Sequence, residues 1–251
     1  MTTSQTSPAQ AQIAHDLRQM VRVLEQYPAL ARAITDPAAT PANKAALIDR
    51  VFAAMGPGSR ELLKKCVDRS WESSAELVAW AEQSAIDQAW QWAAGLGELE
   101  NSINQVFAFG QLVYRDHQLR AAVTDRRAPL EQRQQLVAKL LAGAATAPAV
   151  EIAMAAVVCR RGTIEDSIND FIQAGVKLAG AKLAVATVAK PLPEEQKRRL
   201  SAALAARVGA PVIVEEIVDP AVLGGVRVEC GSEVIDSTMA SRLETVRRDF
   251  T

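Results

Sequence analysis

Three kinds of residue in this chain have the type and spacing to suggest chemistry. The stretch GGVRVECGSEVIDSTMASRL, from Gly224 to Leu243, carries three glycines that would suit a phosphate cradle. A dinucleotide turn needs GxGxxG after a strand, and a Walker loop needs a lysine followed by Ser or Thr; this stretch has neither. Adjacent carboxylates occur at Glu194-Glu195 and Glu215-Glu216. Neighbours on a strand point to opposite faces, and acidic residues at a helix start answer the helix dipole, so neither pair reads as an acid–base couple. The third kind is nucleophiles and metal ligands. Cys66, Cys159 and Cys230 stand far apart without CxxC spacing, and His15 and His117 are the only histidines. No zinc set, disulfide framework or catalytic triad can be assembled from these, and no cofactor or metal is expected.

The elements that position these residues follow from composition. The chain has 251 residues, 49% of them apolar but only 4% aromatic. Ala and Leu dominate the apolar set, which favours a mostly helical protein long enough for a substantial core. Lys plus Arg number 28 against 29 Asp plus Glu. That balance provides no field to hold nucleic acid or anionic lipid, and the Arg pairs at Arg126, Arg160 and Arg247 are scattered on solvated faces. The start, MTTSQTSPAQAQ, lacks the regions of a secretion signal, and no apolar run is long enough to span a bilayer. A cytoplasmic protein without direct membrane insertion is expected.

Residues up to about 175 read as helices. Leu17, Met20, Val23 and Leu24 have helical spacing that ends near Tyr27-Pro28, and Leu30 and Ile34 mark a short second element. Thr40 before Pro41 has the form of an N-cap opening a helix with Ile48, Val51 and Phe52, which Gly56-Pro57-Gly58 should end. An offset of 89 residues brings much of this back: TDPAATPANKAALIDRVF from Thr35 aligns without gaps on TDRRAPLEQRQQLVAKLL from Thr124. Leu17, Met20 and Ile34 fall on Val106, Phe109 and Val123 at the same offset. The helical part therefore contains two related units. Between the paired stretches lies a helix in which Trp90 and Trp92, two residues apart, face opposite sides. Such a helix is either central in a bundle or has one side waiting for another chain.

The last seventy or so residues change character. AKLAVATVA from Ala181 alternates like a strand, and Gly175 and Gly180 before it suit a domain joint. A helix from Pro193 to Gly209 should bury Leu200, Leu204 and Val208. Next comes the strand PVIVEEIV, then a hairpin with Val226, Val228 and Cys230 on one face, and a closing helix with Met239, Leu243, Val246 and Phe250. This predicts a small α+β domain with a mixed sheet.

VDPAVLGGVRVECGSEVIDSTMASRLETVRR, from Val218 to Arg248, resembles the C-terminal signature of the delta subunit of bacterial F-type ATP synthases, relatives of the mitochondrial oligomycin-sensitivity-conferring protein. The match rests on Asp219, Leu223, Gly224, Gly225, Gly231, Val234, Ile235, Asp236, Arg242 and Leu243. Upstream, KPLPEEQKRRLSAALAARVGAPVIVEEIVDP and RAAVTDRRAPLEQRQQLVAKLL resemble further parts of the family, and AIDQAWQWAAGLGEL stands where the first helix of its six-helix bundle is expected. The duplicated, long N-terminal half looks like the delta subunits of actinobacteria. Glu229, Ser232 and Ser237-Thr238 depart from the usual signature; Ser237 replaces a glycine whose backbone it would have to remodel.

The resemblance implies a mainly α protein with an extra helical unit over residues 1–82, a six-helix bundle over 83–178 and an α+β domain over 179–251. It implies a non-catalytic stator subunit of the peripheral stalk, held at the cytoplasmic face of the plasma membrane, that keeps the catalytic head from turning with the rotor. The implied partners are the alpha subunit's N-terminal helix, received by the bundle, and the stalk's b subunit, met by the C-terminal domain. Ile86 and Trp90, with Ile152, Ala156 and Cys159 on a neighbouring helix, are expected to line the alpha groove. The alternative is a helical-repeat adaptor outside energy metabolism, which would have no reason to carry the Gly-Gly to Val-Ile-Asp order.

Overall fold

A computed structural model describes residues 6–67, 69–158, 162–222, 224–231 and 233–236. Cys159, Leu223, Arg242, Leu243, Ser237 and the closing helix expected from Met239 lie outside the described residues. The first unit is built from α1 (Thr6–Gln26), α2 (Pro28–Thr35), α3 (Pro41–Val51) and α4 (Pro57–Val67), and the long α5 (Ser74–Gly95) follows. The second contains α6 (Leu99–Arg115), α7 (His117–Thr124), α8 (Leu130–Leu141), α9 (Ala147–Ala156) and α10 (Ile164–Leu178). The sheet domain adds β1 (Lys182–Val188), α11 (Glu194–Val208), β2 (Val212–Val218), β3 (Val226–Cys230) and β4 (Glu233–Asp236).

Local chemistry accounts for the helix ends. Pro28 and Pro41 open α2 and α3, and the Thr40 hydroxyl accepts from Asn43 N. Thr163 and Asp166 form a capping box at α10, where the Thr163 backbone and hydroxyl hold the Asp166 carboxyl below its usual range. The Gly56-Pro57-Gly58 stretch behaves differently from expectation. Helix α3 already stops at Val51, and Pro57 begins α4, because a first-turn proline gives up no intrahelical hydrogen bond.

The internal repeat is carried down to single hydrogen bonds. Thr35 Oγ1 donates to Ala31 O, and Thr124 Oγ1 to Arg120 O. Ala38 N donates to Asp36 Oδ1, as Arg127 N does to Asp125 Oδ1. The cores match as well: Leu17 and Val106, Ile34 and Val123, Ile48 and Val137, and Leu63 and Ile152 are buried pairs. All these pairs share the 89-residue offset, so α1 to α4 correspond to α6 to α9.

Helix α5 belongs to both units. Its Leu77, Val78, Ala81 and Ala85 complete the first core, whereas Ile86, Ala89, Trp90 and Ala93 enter the second. The hydrophobic clusters thus meet inside one continuous helix, and α1 runs along α5 beside both. Ala14 of α1 crosses over to join the second core.

The sheet has the order β2-β1-β3-β4, with β1 and β2 parallel and the other pairs antiparallel, so it is mixed as expected. Helix α11 makes the parallel crossover and ends on Gly209 at φ 70°. Ala184, Ala186, Val212, Val214, Val228 and Cys230 meet Leu204 on one face. The opposite face is also covered: Ile213 belongs to the second bundle core, and Leu183 packs against it. Arg115 at the end of α6 donates to Val218 O at 3.0 Å, joining bundle and sheet at one more point.

Candidate functional site

Trp90 organises the second unit. Its indole is 1% exposed, and Nε1 donates to Phe171 O at 2.8 Å. Gly175 of α10 lies flat against the ring: a Cβ added there would stand 2.8 Å from Trp90 Cε2. Gly175 is therefore the packing seat of Trp90 inside α10 and not part of a joint; Gly180, at φ 63°, makes the turn before β1. Trp92, on the other side of α5, is only partly buried.

The residues expected to line a partner groove have another position. Ile86, Trp90, Ile152 and Ala156 are all buried in the second core, and Cys159 lies outside the described residues. The outer side of α9 is sealed by α1. Arg18 Nε reaches Glu151 Oε2 at 2.6 Å, with a second contact at 3.4 Å, and Ala14 fills the space beside α5 and α9. The apolar residues of α9 are explained by this double covering: α5 and α6 on the inside, α1 on the outside. Among the described residues these four side chains are interior, and the extra unit supplies α1 as a further cover in cis, which the spacing of apolar residues could not reveal.

An open cleft instead separates the two units farther along α1. Its lining includes Leu24, Ala31 and Val78 from the first unit and Val158 from the second, together with Glu25, Ser74, Arg126 and Arg133. Its volume is about 610 Å³. Arg133 is anchored through donations to Val123 O and Val157 O.

The signature residues mostly shape the hairpin. Asp219 N donates to Val188 O while its carboxylate accepts from Ala221 N, which closes the turn leaving β2. Gly224, Gly225 and Gly231 have φ of 102°, 87° and 60°, values that suit glycine at the entry and tip of the hairpin. Ile235 packs on the sheet core, Val234 is 56% exposed, and Asp236 sits opposite Arg227.

Two polar features had no signal in the sequence. Asp16, on the buried side of α1, accepts from Gly56 N at 2.9 Å, Ser59 Oγ at 2.6 Å and Gln12 Nε2 at 2.8 Å. It pins the start of α4 to α1. Glu215 is 5% exposed in the seam between sheet and bundle. Burial pushes its carboxyl up to about 7, with Lys197 opposing and Glu100 and Glu216 adding to the rise.

Cys66 is not activated for chemistry. Cys66 donates to Leu63 O, and burial pushes its thiol up to about 12. Among the described residues, no three His, Cys, Asp or Glu side chains gather as a metal set, and no helix is long and apolar enough to cross a membrane.

Fold and site together define a class: a doubled helical bundle with a docked α+β domain, distinguished by faces and seams between units. The sequence model of the ATP synthase delta (OSCP) subunit family matches residues 89–250, and the chain belongs to that family. It is similar to the ATP synthase subunit delta of Streptomyces avermitilis, at 36% identity over 98% of this chain and 91% of the relative. The corresponding subunit of Thermobifida fusca is 32% identical over 95% of this chain and 89% of the relative. That of Cutibacterium acnes is 30% identical over 95% and 91%. These likenesses include the extra first unit, which lies ahead of the matched family region.

Proposed function

We propose that this chain works as the stator coupling of an F-type ATP synthase, joining the catalytic head to the peripheral stalk and opposing rotor torque. The observation that carries this reading is the similarity to delta subunits along almost the whole chain. In this role the chain is non-catalytic and sits peripherally at the cytoplasmic face of the membrane. The divisions near residues 82 and 178 then separate the extra unit, the bundle and the stalk-facing domain.

The amphipathic N-terminal helix of an alpha subunit is assigned to the inter-unit cleft over Leu24, Ala31, Val78 and Val158. The apolar part of this lining suits a helix with an apolar face. The C-terminal domain is assigned to the b subunit. Holding head and stalk at once raises the effective concentration of each contact, so moderate joints suffice for firm retention.

The test is binding of a synthetic alpha N-terminal peptide to the full chain, repeated with Ala75→Asp and with Val158→Asp. Binding by the parent chain that both variants weaken at least tenfold supports the assignment. Unchanged binding by both variants removes the cleft from the proposal; no binding by the parent removes the alpha contact.

A further inference from the structure

We propose that the joint between the helical bundle and the sheet domain is a proton-responsive latch governed by Glu215. Strand β2 has helices on both faces, so its alternate side chains enter different surroundings. Val212 and Val214 point to the sheet core beneath α11, whereas Ile213 packs into the bundle. Glu215 follows on the Ile213 side and carries a carboxyl into the seam with α6.

The partners there are few. The Asn104 amide, oriented so that its nitrogen also donates to Glu100 O at 3.2 Å, donates to Glu215 Oε1. Helix α6 brings Glu100, and the next residue on the strand is Glu216, whose own carboxylate accepts from Leu192 N. From α11, Lys197 supplies opposing charge, beside Glu194 and the mutually paired Glu195 and Arg198. Strand β1 places Val185 beside Glu215 and adds no charge. On β3, Arg227 and Glu229 pair with each other. A charged Glu215 thus has one neutral donor and one lysine against two carboxylates, with most of its hydration removed.

The direction follows from linkage. The carboxyl titrates near 7 in the docked joint, against an ordinary value of 4.5 when the seam opens to water. Docking is strongest below 4.5, weakens as pH rises through the interval to 7, and levels off above it. An uncharged Glu215 keeps its hydrogen bond without the desolvation penalty; the charged form favours an opened seam. The latch is independent of which partners the protein holds, so it can fail while the stator reading stands.

The experiment is amide exchange on the full chain at pH 5, 6 and 7, corrected for intrinsic exchange and followed in β2 and α6. Parent protection is expected to fall by roughly tenfold to a hundredfold from pH 5 to 7, while Glu215→Gln stays flat. As a second variant, Asn104→Asp adds another carboxylate, and its loss of protection should be largest at pH 7 and shrink toward pH 5. Parent protection independent of pH, or the same slope in Glu215→Gln, overturns the proposal. So does an Asn104→Asp effect that does not change with pH.

Discussion

Gly175→Ala sets two physical effects against each other at one atom. Alanine in place of a mid-helix glycine is worth about 1 kcal/mol in favour of the helix when nothing obstructs it. Here the new methyl would stand 2.8 Å from Trp90 Cε2, 2.9 Å from Cδ2 and 3.0 Å from Cζ2. The indole cannot retreat easily, since it is fully buried and its Nε1 is committed to Phe171 O. Overpacking of a dense core costs roughly 1–3 kcal/mol, and a rigid ring met at three atoms belongs at the upper end. The expected balance is a loss of about 2 kcal/mol, or a fall in melting temperature of roughly 4–8 °C for a chain of this length. Scanning calorimetry and urea titration of the full chain measure it. Combining Gly175→Ala with Trp90→Phe should give a total loss smaller than the sum of the single losses, because the smaller ring makes room for the methyl. A stabilised Gly175→Ala protein, or strictly additive losses, would refute the tight seat assigned to Trp90.

Three further outcomes are expected. Asp16→Ala leaves Gly56 N and the Ser59 hydroxyl without their shared acceptor, costing about 2–3 kcal/mol, with faster amide exchange concentrated in α4. Glu151→Ala removes the partner of Arg18, whose side chain is only 12% exposed, and should cost about 1–2 kcal/mol by urea unfolding. Exchanging the pair as Arg18→Glu with Glu151→Arg should recover part of that loss; no change in either protein would show that α1 is not fastened to α9. Cys66, with its thiol pushed up to about 12, should resist alkylation at pH 8 in the native chain and react after denaturation, as site-resolved mass spectrometry can read. Rapid native labelling at Cys66 would contradict its burial.

Much of the architecture was legible because it is written locally. Thr40-Pro41 declared a helix start, Gly209 a helix end, and the alternation from Val226 to Cys230 a strand with one buried face. The repeat was legible because whole runs recur without a gap. What escaped depends on residues distant in sequence. The partners of Trp90 come from α10, and the cover over α9 comes from α1. A tryptophan on a two-sided helix fits a core as well as an interface until those neighbours are known, and here Trp90 lies in the core. Glu215-Glu216 read as strand neighbours on opposite faces, without a sign of what each face meets; the helices packed against β2 leave Glu215 a buried carboxylate. Gly175 read as a linker residue because a glycine needed for close contact looks the same in sequence as one needed for a turn.

A chain that couples the head of an ATP synthase to its stalk should come away from the membrane with both. The most direct measurement is affinity purification of the full chain, tagged, from membranes of its own cells, with crosslinks identified by mass spectrometry. The expected result is an assembled synthase with the chain linked to the alpha and b subunits. Recovery of the chain alone, or of a synthase assembled without it, would rule the coupling role out.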